Sequence, residues 1–251
     1  MGQLDGRVAL VTGASRRSGI GFAIARRLTA EGADVFAHGW TPHDTAQQWG
    51  ADSEAGDAIR ALGDRVRYAE ADFADPGAPR AVVGEARAAF GHVDLLIFNH
   101  ARSGDGRLAD VTAEQLDAFL HENVRAAILL VKEFAAQHDG RPGGRVVLLT
   151  SGQHLAPMTR EVAYAVSKGA LHQATKTLAD ELIDRGITVN TVNPGPTDTG
   201  WEISNWDPRP AMPLGRWGEP DDAARLIAWL CSDDARWITG QVIDSEGGFR
   251  R

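Results

Sequence analysis

Cysteine, long apolar runs and basic residues are all scarce in this chain of 251 residues. The single Cys231 has no partner for an intrachain disulfide, and because it follows the apolar run 226–230 we expect a small buried core residue there. No apolar run approaches the length that spans a membrane. The N-terminus lacks an apolar signal core, and Gly6 stands where a myristoylation motif requires Ser or Thr. We therefore predict a cytoplasmic protein.

The net charge of the chain argues against certain classes of binding partner. The chain has 26 Lys and Arg against 34 Asp and Glu, which gives a net charge of −8. Nucleic acids and anionic membranes both require a basic surface on the protein that binds them. We therefore expect neither as a partner. No metal site is predicted, and the expected partner is a small-molecule substrate.

Apolar, β-branched runs alternate with helical patterns along the whole chain. Strands are predicted at 7–11, 33–38, 65–71, 93–98, 145–150, 187–192 and 241–244, and the longer helices at 22–31, 76–90, 112–137 and 161–185. Segment 41–63 is expected to be a long loop that enters a helix. The alternation, without linker or repeat, predicts one α/β domain over 1–251. Its fold would be a doubly wound, Rossmann-type parallel sheet of about seven strands with helices on both faces.

The first predicted strand runs into a glycine-rich loop, 12–21, that opens a helix. Glycines let the backbone approach a pyrophosphate, and the free amides of a helix N-terminus favour an anion. A dinucleotide phosphate site is therefore predicted here, although the glycine spacing is not G-x-G-x-x-G. Its residues are Gly13, Ser15, Arg16, Arg17, Gly19, Ile20 and Gly21.

The end of the second predicted strand bears on the choice between NAD and NADP. NAD-preferring folds usually place an acid there for the ribose 2′-hydroxyl, whereas an Arg nearby accepts a 2′-phosphate. Asp34 lies at the wrong end of this strand, and the next acid is Asp44. Because Arg16 and Arg17 offer cations, we favour NADP(H), with NAD(H) as the alternative. Both arginines could instead be solvated loop charges.

A proton-transfer site is predicted around Tyr164 and Lys168, which share one face of a helix because they are four residues apart. A neighbouring ammonium lowers the pKa of a phenol, which can then exchange a proton with a substrate oxygen. Ser151 ends a strand thirteen residues before Tyr164 and could hold the same oxygen. An ordinary solvated helix pair is the alternative.

Other features leave two interpretations open. Asp72 could bond an adenine amino group or cap the next helix, and Asn123, a mediocre helix former, needs either a solvent-exposed face or a role. The irregular segment of about 199–218 could be a substrate lid or could pack against the scaffold. Its large apolar residues are Trp201, Trp206, Met212 and Trp217.

Taken together, these stretches resemble the short-chain dehydrogenase/reductase family over essentially the whole chain. Within the family, the sequence is similar to the branch that contains 3-oxoacyl-acyl carrier protein reductases. The resemblance rests on Thr12-Gly13, Gly19-Ile20-Gly21, Asn99, Asn123, Ser151, Tyr164, Lys168, Asn193-Pro194-Gly195 and Gly247-Gly248. It implies a homotetramer that transfers a hydride between a nicotinamide and a carbonyl or secondary alcohol.

The resemblance also implies residue roles. Tyr164 would donate the proton, Ser151 would orient the carbonyl, and Lys168 would lower the tyrosine pKa and hold the nicotinamide ribose. Asn123 would keep a water molecule in a proton relay. Further cofactor contacts would come from Asn99 on the adenosine side, and from Pro194, Gly195, Thr197 and Thr199 near the nicotinamide and pyrophosphate.

The sequence departs from the family pattern in two places. Five residues, 14 to 18, separate Gly13 from Gly19, and this longer loop is similar to that of divergent enoyl reductases. Those enzymes have a wider spacing between Tyr and Lys, so a carbonyl reductase is favoured. Asn99 is followed by His100-Ala101 where Asn-Ala-Gly is common; His100 and His154 could fill space or contact substrate.

We therefore predict an NADP-dependent carbonyl reductase, with a 3-oxoacyl thioester, free or carrier-bound, as the first candidate substrate. A dehydrogenase of a sugar, steroid or other small alcohol is the alternative enzyme. A non-catalytic nucleotide sensor is the alternative class of protein. It is disfavoured because none of the expected proton-transfer residues is missing.

Overall fold

The computed structural model describes residues 2–47, 50–200 and 210–251. Within these residues, seven strands form one sheet in the order β3-β2-β1-β4-β5-β6-β7, and every neighbouring pair is parallel. The strands are β1 (Val8–Val11), β2 (Asp34–Gly39), β3 (Val66–Glu70), β4 (Leu95–Phe98), β5 (Gly144–Leu149), β6 (Ile187–Asn193) and β7 (Val242–Asp244). The predicted doubly wound sheet is confirmed.

Helices cover both faces of the sheet. The α-helices in the described residues are α1 (Ile20–Ala30), α2 (Thr41–Thr45), α3 (Ala55–Arg60), α4 (Ala78–Phe90), α5 (Ala113–Phe119), α6 (Ala126–Gln137), α7 (Val162–Ile183) and α8 (Pro220–Cys231). Because side chains of a strand alternate between faces, β4 contributes Leu95 and Ile97 to one core and Leu96 and Phe98 to the other. The first core packs under α1 and α8, and the second under α4, α6 and α7.

The strand order places the functional cleft. The chain moves outward from β1 to β3, returns to the middle at β4, and then continues to the opposite edge. Ligands of doubly wound sheets bind at the carboxyl ends of the strands where this reversal occurs. The loops after β1 and β4 therefore meet at such a site, and they carry the glycine loop and Asn99.

Two regions differ from the sequence expectation. Segment 41–63 contains two short helices, α2 and α3, rather than one long loop before a helix. The predicted helix over 112–137 is interrupted by a π-helical turn, Leu120–Arg125, between α5 and α6. Such turns often mark functional positions, and this one contains Asn123.

The structure also bears on the expectations for Cys231 and for membrane-spanning segments. Cys231 is buried in the core, as predicted, with 2% of its surface exposed. None of the helices in the described part of the chain combines the length and apolarity needed to cross a membrane.

Candidate active site

A cleft of about 1080 Å³ opens at the carboxyl ends of the strands. It brings the glycine loop, the ends of β4, β5 and β6, and the start of α7 to one place. Predicted site residues that line it are Gly13, Ser15, Arg16, Gly19, Ile20, Asn99, Ser151, Tyr164, Pro194, Gly195, Thr197 and Thr199. Asn123 and Lys168 lie behind this lining, with 0% and 2% of their surface exposed.

Tyr164 and Ser151 form the centre of the cleft. Ser151 follows β5, and Tyr164 lies in the first turn of α7, so the sheet and the helix hold the two hydroxyls on a common wall. The Ser151 hydroxyl hydrogen-bonds to the Tyr164 phenol and opposes the rise in its pKa. The tyrosine ring is held from one side by an edge contact with Phe119, at 6.4 Å between ring centroids. The two predicted hydroxyl groups are therefore in position to share one substrate oxygen.

Lys168 is buried beside the ring of Tyr164. Its Nζ donates a hydrogen bond to the Leu149 carbonyl at 2.9 Å and lies 5.7 Å from the centroid of the Tyr164 ring. Burial lowers the pKa of Lys168 to about 7, because the charged amine loses its hydration. At neutral pH this ammonium is therefore only partly charged.

The pKa of Tyr164 moves opposite to the direction that the resemblance implies. Burial raises it to about 12; the Ser151 hydrogen bond opposes that rise and the negative charge of Glu161 adds to it. Desolvation dominates because the partly charged Lys168 does not balance it. A phenol with a raised pKa is fully protonated at neutral pH, which is the state that a proton donor requires.

Asn123 is buried, so a solvent-exposed face does not account for it. Its Oδ1 accepts a hydrogen bond from the Arg102 amide at 2.7 Å, and its Nδ2 donates to the Arg102 carbonyl at 2.9 Å and to Ser167 Oγ at 2.9 Å. The side chain thus joins the π-helical turn to the loop after β4 and to α7. Its role in a proton relay stays a prediction.

The glycine loop packs tightly against the end of β4. Asn99 Nδ2 donates to the Thr12 and Gly13 carbonyls at 3.0 and 2.9 Å. A Cβ on Gly21 would lie 2.2 Å from the Gly13 carbonyl oxygen, and a Cβ on Gly13, whose φ is +71°, would lie 2.7 Å from His100 Cα. The two glycines therefore permit backbone contacts that no larger residue would allow, and these contacts fix the shape of the phosphate cradle.

The opposite wall of the cleft is the loop after β6. The Asn193 side chain anchors it, since Oδ1 accepts from the Gly195 amide at 3.1 Å and Nδ2 donates to Asp244 and Glu246 at 2.9 and 2.7 Å. Ser18 Oγ donates to the Thr199 carbonyl at 3.0 Å and links the glycine loop to this wall. The described residues thus enclose the cleft from both sides.

Three predicted cofactor residues, Arg17, Gly21 and Asp72, do not line the cleft. Arg17 is half exposed and pairs with Asp52 and Glu54, each at 2.8 Å, so its guanidinium is a solvated loop charge. Asp72 accepts a hydrogen bond from the Ala74 amide at 2.8 Å and caps the turn that leads into α4. These contacts agree with the alternative interpretations, and a cofactor contact by either residue stays a prediction.

His100 and His154 also occupy different environments. His100 lines the cleft but is buried, with its ring against Phe73 at 5.0 Å, and burial holds its pKa well below the ordinary value. It is therefore neutral, and a contact with substrate stays a prediction. His154 does not line the cleft; its Nε2 lies 3.1 Å from Asp244 Oδ1 and its ring lies 4.6 Å from that of His172.

Sequence reasoning missed several residues of the cleft. At one end these are Trp40, His43 and Asp44, and at the other Met158, Glu161, Phe249 and Arg251. The Ser15 hydroxyl donates to the Asp44 carboxylate, which ties α2 to the glycine loop. Glu161 could have been found from the sequence. It lies three residues before Tyr164 in the predicted helix 161–185, and residues with that spacing share one face of a helix. The C-terminal residues carry no comparable local signal.

Comparison with known proteins agrees with the geometry. Residues 13–250 match the family model described as "Enoyl-(Acyl carrier protein) reductase". An uncharacterized oxidoreductase of Bacillus subtilis, YjdA, is 42% identical over 250 residues, covering 98% of this chain and 97% of that protein. The chain therefore belongs to the short-chain dehydrogenase/reductase family, whose members are NAD(P)-dependent oxidoreductases.

Solved structures show the same fold. A short-chain dehydrogenase from Burkholderia cenocepacia, in complex with NADP, is 38% identical with a TM-score of 0.86 over 98% of both chains. A short-chain dehydrogenase/reductase from Serratia marcescens is 32% identical with a TM-score of 0.87, over 99% of this chain and 100% of that one. Both likenesses extend over nearly the whole chain, including the cleft.

Proposed function

We propose that the protein is an NADP-dependent carbonyl reductase, or in reverse a dehydrogenase of secondary alcohols. The observation that carries the proposal is the Ser151–Tyr164 pair on the wall of the cleft, with Lys168 buried behind it. The Ser151 hydroxyl can donate a hydrogen bond that polarises a carbonyl, and the protonated Tyr164 phenol can give the carbonyl oxygen a proton. The three-residue gap between Tyr164 and Lys168 favours a carbonyl over an enoyl substrate.

The lining of the cleft fits a dinucleotide. Gly19 has no side chain to cap the N-terminus of α1, so the first amides of that helix are available to an anion. Gly13, Ile20, Asn99, Pro194, Gly195, Thr197 and Thr199 line the path from this end to Tyr164. When bound, a nicotinamide would supply the hydride. Ser151 would then hold the substrate oxygen, Tyr164 would give it a proton, and Lys168 would stabilise the phenolate left behind.

Several finer expectations belong to the proposal. A 3-oxoacyl thioester remains the first candidate substrate, and a sugar, steroid or other small alcohol is the alternative. A cytoplasmic homotetramer is proposed from the family resemblance, and the exposed Val166 on α7 supplies an apolar residue for a subunit contact. Segment 199–218 is proposed as the lid; Trp217 lines the cleft and Met212 is buried, whereas Trp201 and Trp206 lie outside the described residues.

The proposal is tested by initial rates of NADPH and NADH oxidation with a panel of carbonyl compounds, including acetoacetyl-coenzyme A. We expect turnover with at least one ketone and a preference for NADPH. Turnover of enoyl thioesters alone would overturn the carbonyl assignment, and binding of both cofactors without turnover of any compound would favour a nucleotide sensor.

Arg16 is expected to provide the preference for NADPH. It lines the cleft, where a guanidinium can bond a 2′-phosphate, and its Nε lies 3.9 Å from the Asp44 carboxylate. Replacing Arg16 by Gln should raise KM for NADPH by about tenfold or more, the scale of a charge-assisted bond, and should leave KM for NADH within about twofold. Parallel saturation curves with both cofactors measure this.

Arg17 supplies the matched control, because it carries the same charge next in the chain and pairs with Asp52 and Glu54 outside the cleft. Arg17→Gln should leave the KM for both cofactors nearly unchanged. An equal loss of affinity for NADPH in the two variants would mean that Arg16 acts only through the general charge of the loop.

A further inference from the structure

A second ionisable group, Glu161, lies beside the proposed proton donor. Glu161 directly precedes α7, three residues before Tyr164, and lines the same cleft while half-buried. Its backbone is fixed on both sides, since the Gly106 amide donates to the Arg160 carbonyl at 2.6 Å and the Val162 amide donates to the Gly106 carbonyl at 3.0 Å. The negative charge of Glu161 is close enough to raise the pKa of Tyr164. Glu161 and Tyr164 are therefore lining residues of one cleft.

No side chain neutralises this carboxylate within the described ranges 2–47, 50–200 and 210–251. It has neither a hydrogen-bond donor nor an ion-pair partner within 4.0 Å there. The neighbouring Arg160 points its guanidinium to Asp105 instead, at 3.8 Å. Arg160 still lowers the pKa of Glu161 from a distance, but burial and Asp105 together raise it.

Another pair of opposite charges, Arg251 and Glu246, lines the cleft within the described part of the chain. The Arg251 guanidinium donates to both carboxylate oxygens of Glu246, one of them at 2.9 Å, so this pair contributes no net charge. Apolar residues that line the cleft include Pro157, Met158, Trp217 and Phe249. Among the described lining residues, this end of the cleft therefore combines apolar side chains with the Glu161 carboxylate, which has no ion-pair partner there.

We propose that Glu161 selects the substrate: it favours neutral carbonyl compounds that carry an amide or hydroxyl donor near the reacting carbonyl, and it excludes oxo acids whose carboxylate would occupy that place. This inference rests on the proposed carbonyl reduction. A donor on the substrate gives the half-buried carboxylate the hydrogen bond that the protein does not supply. A second carboxylate would face it at close range with little solvent between them, which is a repulsive element of specificity.

Acetoacetamide and acetoacetate test this inference, because they have nearly the same shape and differ in charge and in the donor. Each is titrated into the NADP+ complex of the wild-type protein, of Glu161→Gln and of Asp105→Asn, where no hydride can be transferred to it, and calorimetry gives the dissociation constants. The values of kcat/KM come separately from NADPH oxidation. Asp105→Asn is the matched control: it removes one negative charge near Glu161, from an exposed side chain that does not line the cleft.

We expect wild type to prefer the amide by about tenfold or more in Kd and kcat/KM, on the scale of one close charge contact. Glu161→Gln should reduce this preference to about threefold or less, mainly by improving acetoacetate, while Asp105→Asn keeps it. Equal preference in wild type and Glu161→Gln, or a wild-type preference for acetoacetate, would overturn the role of Glu161. A charge-dependent Kd without turnover of either compound would instead leave that role in place and count against carbonyl reduction.

Discussion

Tyr164→Phe is expected to lower kcat by about two orders of magnitude or more, the scale of general acid catalysis. The substitution keeps the ring and its edge contact with Phe119 but removes the hydroxyl that bonds to Ser151. Because the phenol meets the substrate rather than the phosphate cradle, the Kd for NADPH should stay within about twofold. Initial rates with the best ketone of the panel, and nicotinamide fluorescence for binding, measure the two quantities.

The other tyrosine of the chain, Tyr68, provides the control. Its hydroxyl donates to Glu70 at 3.2 Å, outside the cleft lining. Tyr68→Phe should therefore retain normal turnover. If Tyr164→Phe kept turnover near the wild-type rate, Tyr164 would not be the proton donor, and another group at the cleft would have to supply the proton.

Lys168→Met is expected to lower turnover strongly and at the same time to stabilise the protein at acidic and neutral pH. Lys168 is 2% exposed, and its Nζ has one hydrogen bond, to the Leu149 carbonyl. Methionine has a similar length and needs no hydration, so it removes the cost of burying an amine. Without the ammonium, the phenolate left after proton transfer loses its stabilising charge, and kcat should fall by about a hundredfold or more.

The pH dependence of this stabilisation has a definite sign. Burial lowers the pKa of Lys168 from its ordinary value of 10.5 to about 7. Between these two values the unfolded chain binds a proton that the folded protein does not, so the free energy of unfolding of the wild type rises with pH in that window. Below pH 7 the cost of the buried amine is fully present, and towards pH 10.5 it disappears.

The gain in the free energy of unfolding of Lys168→Met over the wild type should therefore be largest at about pH 6 and should shrink steadily towards pH 10. The lowered pKa of Lys168 corresponds to a stability cost on the order of a few kcal/mol, which the substitution removes. The Leu149 carbonyl then loses its hydrogen-bond donor, and this loss offsets about 1 kcal/mol or more of the gain. A rise of a few degrees in Tm near pH 6 is the expected net result. Thermal unfolding of both proteins across this pH range measures it.

Lys176→Met is the matched control, since Lys176 lies on the same helix but is exposed. It should change neither turnover nor the pH dependence of Tm. A Lys168→Met variant whose Tm differed from wild type by the same amount at every pH would show that the buried amine keeps its ordinary pKa.

Much of the fold was predictable because its signals are local. The runs that became β4 and β5 are continuously apolar, as buried parallel strands are, and the helix that carries Tyr164 and Lys168 ends near Gly186, as its stop signal predicts. Segment 41–63 was not predicted correctly, because α2 and α3 have only 5 and 6 residues. Helices that short have almost no periodicity and are stabilised by the contacts they make after folding.

The arginines of the glycine loop show the limit of sequence reasoning most clearly. Arg16 and Arg17 are adjacent and carry the same charge, so composition treats them alike. In the fold one lines the cleft and the other turns to Asp52 and Glu54. Asp72 and Asn123 each had two open interpretations, and only the structure shows that Asp72 accepts a hydrogen bond from the Ala74 amide and that Asn123 is bonded to the Arg102 backbone.

The sequence by itself determined the family, the doubly wound sheet, and the placement of Ser151 and Tyr164 at one cleft. The family follows from the resemblance of the ordered motifs to known members, and the doubly wound sheet follows from the periodicity of the apolar residues. The common position of Ser151 and Tyr164 follows from the strand end and the helix that are close along the chain. Only the tertiary structure decided the lowered pKa of Lys168, the raised pKa of Tyr164, and the arrival of Glu161 and Arg251 at the substrate end. The physical reason is that desolvation and charge pairing depend on every segment that packs around a group, and most of those segments are distant in the chain.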